Sequence, residues 1–255
     1  MEKASSGGGD GRSGTQAVDR ALRVLGVLES AREDLGVTAL ATASGLTVST
    51  THRLLKALAS AGLVAQDRDT ERYHLGVGLI ALGRRAEARL GLHRWHDALE
   101  RLASETGESA SIGTRVGNEV LVADHIPSAK ALRFDAGIGA RVPIHASAMG
   151  KMLLAMADDL AVEVAALGPL QRFTERTLTD PAALLNELHV IRNRGWSLND
   201  GERDSGVRAV AVAIPGASAA AMAVQGPEVR LTDDRLASVV ALLDSTVDAE
   251  STSSP

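Results

Sequence analysis

The chain has 255 residues, 45% of them hydrophobic, a formal net charge of -5 and no cysteine. That length and apolar content suit one or two domains with a real core, and the missing cysteines exclude a disulfide framework, a thiolate zinc site and a cysteine nucleophile. With two Phe, two Trp and one Tyr, packing falls to Ala, Leu and Val, and aromatic platforms for single-stranded nucleic acid are excluded.

The charge is unevenly placed. Residues 1–85 hold 11 Lys/Arg against 9 Asp/Glu, whereas the remainder holds 16 against 23. The slightly basic part is where a nucleic-acid contact is expected, and so modest an excess calls for two copies per site. The absence of cysteine agrees with a reducing cytoplasm. No run is apolar and long enough to span a membrane, so a soluble, cytoplasmic chain is expected, with no cofactor.

Met1–Gly14 is rich in Gly and Ser and reads as a flexible tail, not a signal peptide. Val18, Leu22, Leu25 and Leu28 then predict an amphipathic helix from Val18 to Glu29. Thr38 is placed to cap a short helix, Ala39–Ser44; Gly45-Leu46 makes a turn, and Thr47 caps a second helix from Val48 to about Ala61. This is a helix-turn-helix pattern. Gly62 stops the second helix, and the polar turn Asp67-Arg68-Asp69-Thr70 ahead of Tyr73-His74-Leu75 predicts a two-stranded wing.

The major groove admits one helix, whose first turns must offer short polar groups and an arginine to bases and phosphates. Thr47, Ser49, Thr50, His52 and Arg53 meet that need, with Arg72 on the wing, while Leu54, Leu55 and Leu58 anchor the back of the helix. Residues 75–90 predict a linker helix with Leu79, Leu82 and Ala86 along one side; the stripe reads either as a buried face or as a contact that spaces two recognition helices.

From His93 onward helices and strands alternate. A helix Trp95–Thr106 ends at Gly107; strands Ala110–Val116 and Glu119–His125 reverse at Gly117-Asn118; a third strand, Ala131–Phe134, precedes a turn with Gly137 and Gly139. Arg141–Ile144 extends the sheet, and His145-Ala146-Ser147 leads into a helix, Ala148–Ala157. Asp180-Pro181 starts another, stopped by Gly195, with Leu184, Leu188 and Ile191 inward. Strands Trp196–Leu198, Val207–Ile214 and Ala219–Val224 follow, then a helix from Asp233 to Val247 capped by Thr232 and a loose tail, Asp248–Pro255.

Nearly the whole chain resembles the IclR family of transcriptional regulators. The carrying segments are QAVDRALRVLGVLES, GLTVSTTHRLLKALASAGLV and DRDTERYHLGVGLIALG in the first half. In the second they are RVPIHASAMGKMLLA, LTDPAALLNELHVIRNRGWSLNDGERDSGVRAVAV and VQGPEVRLT. The resemblance implies an overall α/β chain: an N-terminal winged helix-turn-helix and a C-terminal GAF-like α/β effector-binding domain, assembled as a homodimer or dimer of dimers on double-stranded DNA. The corresponding boundaries are a tail at 1–14, a DNA-binding domain at 15–75, a linker and dimerisation helix at 76–91, an effector domain at 92–247 and a tail at 248–255.

Carried over position by position, the operator-reading stretch falls on Ser49, Thr50, His52 and Arg53. Val48 stands where many members have lysine. The effector pocket maps to Ala148, Met149, Asn199, Ala209, Ala223 and Gln225, where many members have a Gly-Ala pair, an acid, a cysteine and two serines. Losing those hydroxyl donors costs a small keto acid its partners, at about 1–3 kcal/mol per unmatched group. The expected effector is therefore an organic acid or a larger, less charged metabolite, unless Gln225 plugs the cavity.

Other constellations are weaker. Gly76-x-Gly78 and Gly137-x-Gly139 lack the remaining residues of a nucleotide fingerprint. His93 and His96 lack a third metal ligand, and His145 is expected to be a structural hydrogen-bonder. Asp200, Glu202, Arg203 and Asp204 read as loop ion pairs, without a nucleophile elbow or an ordered triad around them. No enzyme is expected. A ligand-gated DNA-binding repressor is the expected function; the alternatives are a small-molecule-binding or enzymatic domain whose helix-turn-helix contacts protein, and a non-specific architectural DNA protein.

Overall fold

A glycine and a threonine three residues apart shape the N-terminal half. Gly45 takes the left-handed backbone (φ 66°) that ends α2 (Val37–Ser44), and Thr47, in extended backbone, caps α3 (Val48–Ser60). The computed structural model describes residues 10–216 and 219–252, and these belong to two units, residues 1–87 and 88–255.

In the first unit α1 (Asp10–Ser30) packs on α2 and α3, and β1 (Val64–Gln66) pairs antiparallel with β2 (Tyr73–Leu75). Val24, Leu28, Leu40, Leu55, Leu58, Val64 and Tyr73 form its core. Three expectations change here. Asp10–Gly14 are helical instead of part of a tail, and Met1–Gly9 lie outside the described residues. The inward stripe of α1 is Ala21, Val24, Leu25 and Leu28, whereas Val18 and Leu22 are 58% and 59% exposed, because the small core backs only the C-terminal half of this helix. Thr38 does not cap α2: a bridge between Leu35 and Tyr73 keeps the chain extended up to Gly36, so the helix starts at Val37 and Thr38 falls within its first turn.

α4 (Gly78–Leu90) has no buried side chain; Leu79 is half-buried and Leu82 and Ala86 are exposed, so the expected stripe is not an inward face.

The second unit opens with a 3-10 turn, Leu92–Trp95, and α5 (His96–Thr106). Its six strands are β3 (Ser109–Val116), β4 (Glu119–Ile126), β5 (Arg141–Pro143), β6 (Trp196–Asp200), β7 (Val207–Ile214) and β8 (Ala220–Pro227). They form one antiparallel sheet in the order β5-β4-β3-β8-β7-β6.

Strand alternation gives the sheet two different faces. Val210, Val212, Ile214, Met222 and Val224 meet α5 and α9 (Asp233–Thr252). On the opposite face stand small residues, Ala209, Ala211, Ala221 and Ala223, beneath α6 (Ala148–Ala155), α7 (Leu160–Ala166) and α8 (Pro181–Arg194). The small face lets α6 come close: a Cβ at Gly150 of α6 would lie 2.0 Å from the carbonyl oxygen of Ile144.

Ala131–Phe134 is not a strand. The edge of β4 is already occupied by β5 and by the backbone of Gly139 and Ala140, so the segment has no ladder to join. Its carbonyls turn to side chains instead: Ser109 Oγ donates to Phe134 O (2.6 Å) and Arg230 Nη2 to Leu132 O (2.8 Å). At the C-terminus the expected tail is helical as far as Thr252, held by Val247 in the core and by Arg101 against Glu250 (2.7 Å). Residues 253–255 lie outside the described part. No described helix is long and apolar enough to cross a membrane.

Candidate nucleic-acid interface and effector cavity

The start of α3 separates groups that hold the helix from groups left to face outward. Thr47 Oγ1 accepts the Thr50 backbone N–H (3.3 Å) and donates to Thr50 Oγ1 (2.9 Å), so both hydroxyls serve the cap. Thr51 is buried and donates its hydroxyl to Thr47 O (3.0 Å). Ser49, His52, Arg53 and Lys56 are exposed on the outer side, with Leu55 and Leu58 buried behind them. Arg20 of α1 lies in the same shallow cleft as Thr50 and Arg53, adding a second guanidinium beside the expected reader.

The wing is shaped by Asp67. Its carboxylate accepts the Thr70 N–H (2.7 Å), the Thr70 hydroxyl (2.8 Å) and the Asp69 N–H (3.1 Å). The Thr70 backbone bond, first among these, holds the carboxyl below its ordinary value. The turn leaves Arg68 exposed at its tip. Arg72 is exposed but partly engaged, donating to Asp34 O (3.1 Å) and so strapping the wing to the loop before α2.

In the second unit the six positions expected for the effector, Ala148, Met149, Asn199, Ala209, Ala223 and Gln225, line one cavity under the N-terminus of α6. Register explains the convergence. Asn199 pairs with Ala209 and Ala209 with Gln225, while Ala211 pairs with Ala223 and Ala223 with Ser111, so these residues share one face of the sheet. The cavity measures about 20 Å³, room for about one water. Met149 fills much of it: a Cβ at Gly113, at the irregularity in the β3–β4 pairing, would lie 2.9 Å from Met149 Sδ and 2.5 Å from Val120 Cγ1.

Its polar groups are tied down. Gln225 Nε2 donates to Ser111 Oγ (2.8 Å), and Ser111 lies 2.8 Å from His125 Nδ1. A hydroxyl that accepts from the amide gives its own hydrogen to Nδ1, which puts the ring hydrogen on Nε2. That nitrogen is 3.0 Å from Asp135 Oδ1 but poorly aligned for a hydrogen bond. Asn199 Oδ1 accepts the backbone N–H of Glu202 (2.8 Å), and Thr174 and Thr177 donate to Gly201 O and Glu202 O (2.7 and 2.6 Å), bracing the loop 201–206. Glu202 is hydrogen-bonded to Lys151 of α6, and both are buried. Burial is the largest influence on Glu202 and holds its carboxyl above the ordinary value against the pull of Lys151.

The chain matches the family model for the IclR helix-turn-helix domain over residues 17–68 and that for the bacterial transcriptional regulator IclR C-terminal domain over residues 92–252. It belongs to the IclR family of transcriptional regulators. The HTH-type transcriptional regulator BhcR of Paracoccus denitrificans is 36% identical over 252 residues, covering 97% of this chain and 89% of that protein. The HTH-type transcriptional repressor AllR of Escherichia coli K12 is 33% identical over 232 residues, 89% of this chain and 86% of that one. Among solved structures, an IclR homolog from Microbacterium hydrocarbonoxydans complexed with 4-hydroxybenzoate superposes with a TM-score of 0.77 at 25% identity, covering 92% of this chain and 98% of that one. These relatives are regulators, not enzymes.

Within this IclR-family chain, several contributors escaped the sequence reading. Ser111, His125 and Asp135 form a hydroxyl–imidazole–carboxylate series whose serine is fully buried and whose hydroxyl oxygen already accepts from Gln225, so it braces the cavity wall instead of acting as a nucleophile. Phe134 and Arg203 also line the cavity, with the Arg203 guanidinium carbon 5.4 Å from the Phe134 ring centre. Of the histidines weighed earlier, His96 pairs with Asp124 (2.8 Å). Among the described residues no cluster suited to a metal occurs. His145 Nε2 donates to Gln171 O (3.0 Å), the structural role expected of it.

Proposed function

We propose that this regulator occupies a specific double-stranded operator as a homodimer or dimer of dimers, and that a small-molecule effector in its C-terminal unit sets that occupancy. The observation that carries the DNA reading is the capped start of α3: Thr47 and Thr50 hold the helix while Ser49, His52 and Arg53 face outward. Arg53 is assigned to base edges or phosphates, Ser49 and His52 to adjacent contacts, Thr47 and Thr50 to the phosphate flank, and Arg72 to the wing's backbone contact. The working division is a reader at 15–75, a linker helix at 76–91 and an effector domain at 92–247.

Repression is the proposed polarity, supported by the similarity to a protein named as a repressor. A C-terminal effector is supported by the homolog crystallised with a small aromatic acid. Ala148, Met149, Asn199, Ala209, Ala223 and Gln225 form the inner wall on which the effector acts; it is an organic acid or a larger, less charged metabolite. Binding shifts the balance between two dimer arrangements only to the extent that it favours one of them.

The test is a titration of the full chain against its own upstream DNA and a scrambled duplex at physiological salt, with and without candidate acids. At least ~10³-fold preference for the upstream DNA, altered by one acid, is the expected result. Equal binding to both duplexes removes the operator reading.

A further inference from the structure

Beside the inner cavity lies a second, larger one of about 460 Å³, between β5 and the loop that follows α7. Its size falls within the roughly 300–1,000 Å³ of small-molecule pockets, whereas the inner space of about 20 Å³ holds no organic molecule. The outer cavity is lined by apolar groups, with Leu170 and Phe173 on one side, and the rings of His145 and Phe173 lie 5.8 Å apart. Arg141 and Arg203 line it together with one acid, Glu119. Arg141 is paired to Glu119 at 3.2 Å, which neutralises both.

Arg203 is different. It lines both cavities, and its Nε lies 3.3 Å from Asp204. Its two terminal nitrogens have no hydrogen-bond partner among the described residues. A guanidinium with its donor fork unfilled, at the end of a largely apolar cavity, matches a carboxylate with a flat apolar body.

We propose that the outer cavity is the seat of the effector, a flat ring bearing one carboxylate, with the carboxylate on Arg203 and the ring among Leu170, Phe173 and His145. Arg203 also covers Phe134 in the wall of the inner cavity, so seating the carboxylate fixes a residue common to both spaces. The inference rests on the reading of the C-terminal unit as the sensing part, and it moves the ligand out of the space lined by Met149 and Gln225.

Calorimetric titration of the full chain with benzoate, a flat monocarboxylate, tests it without DNA. One benzoate per chain is expected. Benzamide, which keeps the ring and loses the charge, binds at least about tenfold more weakly, and Arg203→Gln costs benzoate a similar factor. Leu170→Trp, which fills the outer cavity, removes binding; if that variant does not fold, Phe173→Ala supplies the second probe with a loss of several-fold. Gln225→Ala, which enlarges the inner cavity only, leaves the affinity within about twofold.

No benzoate binding at millimolar concentration overturns the proposal. So does binding that survives Arg203→Gln, or that rises many-fold in Gln225→Ala. A chain that binds benzoate as described but shows no operator preference keeps this site and loses the regulator reading; the reverse result does the opposite.

Discussion

The two candidate sites use polar side chains in opposite ways. At the start of α3, Ser49, His52, Arg53 and Lys56 stand exposed with the helix cap completed behind them, whereas around the inner cavity Gln225, Asn199, Lys151 and Glu202 are buried and each is bonded to a protein partner. The difference follows from what each surface faces. A groove-reading helix exchanges water for DNA and loses little by standing unpaired in the free protein. A buried amide or charge left unpaired costs folding free energy. Changes at the reader should therefore alter binding and spare the fold, and changes at the cavity wall should do the reverse.

The strongest way to break this contrast is Lys151→Met. It leaves the buried Glu202 carboxyl without its partner and should cost the C-terminal unit about 3–5 kcal/mol in urea unfolding; adding Glu202→Gln to the same chain should restore most of that. A single variant of unchanged stability would show that the cavity wall is no tighter than the reader. Arg53→Ala comes next: binding to the operator should fall by about 1–3 kcal/mol per half-site at an unaltered melting temperature, read by fluorescence anisotropy beside calorimetry. Loss of fold together with binding would put Arg53 on the structural side.

Thr47→Ala sits on the border between the two kinds. Its hydroxyl holds the Thr50 N–H, so about 1 kcal/mol of stability should go, and operator affinity should fall with it; Thr47→Ser should recover both. The smallest effect concerns His96. Its hydrogen bond to Asp124, helped by that carboxylate's charge, raises its pKa above the ordinary 6.5. A raised folded-state pKa contributes stability that is fully present below the unfolded value and is lost as pH rises through the folded one. The site is half-exposed, so His96→Gln should flatten the stability profile by only a few tenths of a kcal/mol just above pH 6.5; an unchanged profile would dissolve the pair.

The reader was legible because its signals are local. Gly45, Thr47 and the spacing of Leu55 and Leu58 act within one or two helical turns, and each does in the structure what its chemistry requires. Thr38 escaped because a bridge from distant Tyr73 fixed where α2 begins. In the C-terminal unit the strands with local alternation were readable, and the resemblance placed six residues that the sheet register brings around one cavity. Phe134, Arg203 and the Ser111–His125 pair were not, because they meet through loops and cross-strand neighbours that no local period announces. Ala131–Phe134 has strand-like composition, but the one edge within its reach was already taken.

Gly113, Val120 and Met149 share one small allotment of space at the irregularity in the sheet. Any side chain at position 113 meets the other two at less than contact distance, so that position accepts nothing larger until both neighbours have shrunk. Change here is ordered in time. A lineage that trims Met149 first opens the inner cavity at the cost of some packing and remains folded, while one that begins at Gly113 passes through a clash. The range of molecules such a chain can come to recognise is thereby constrained by the sequence of its substitutions as well as by their sum.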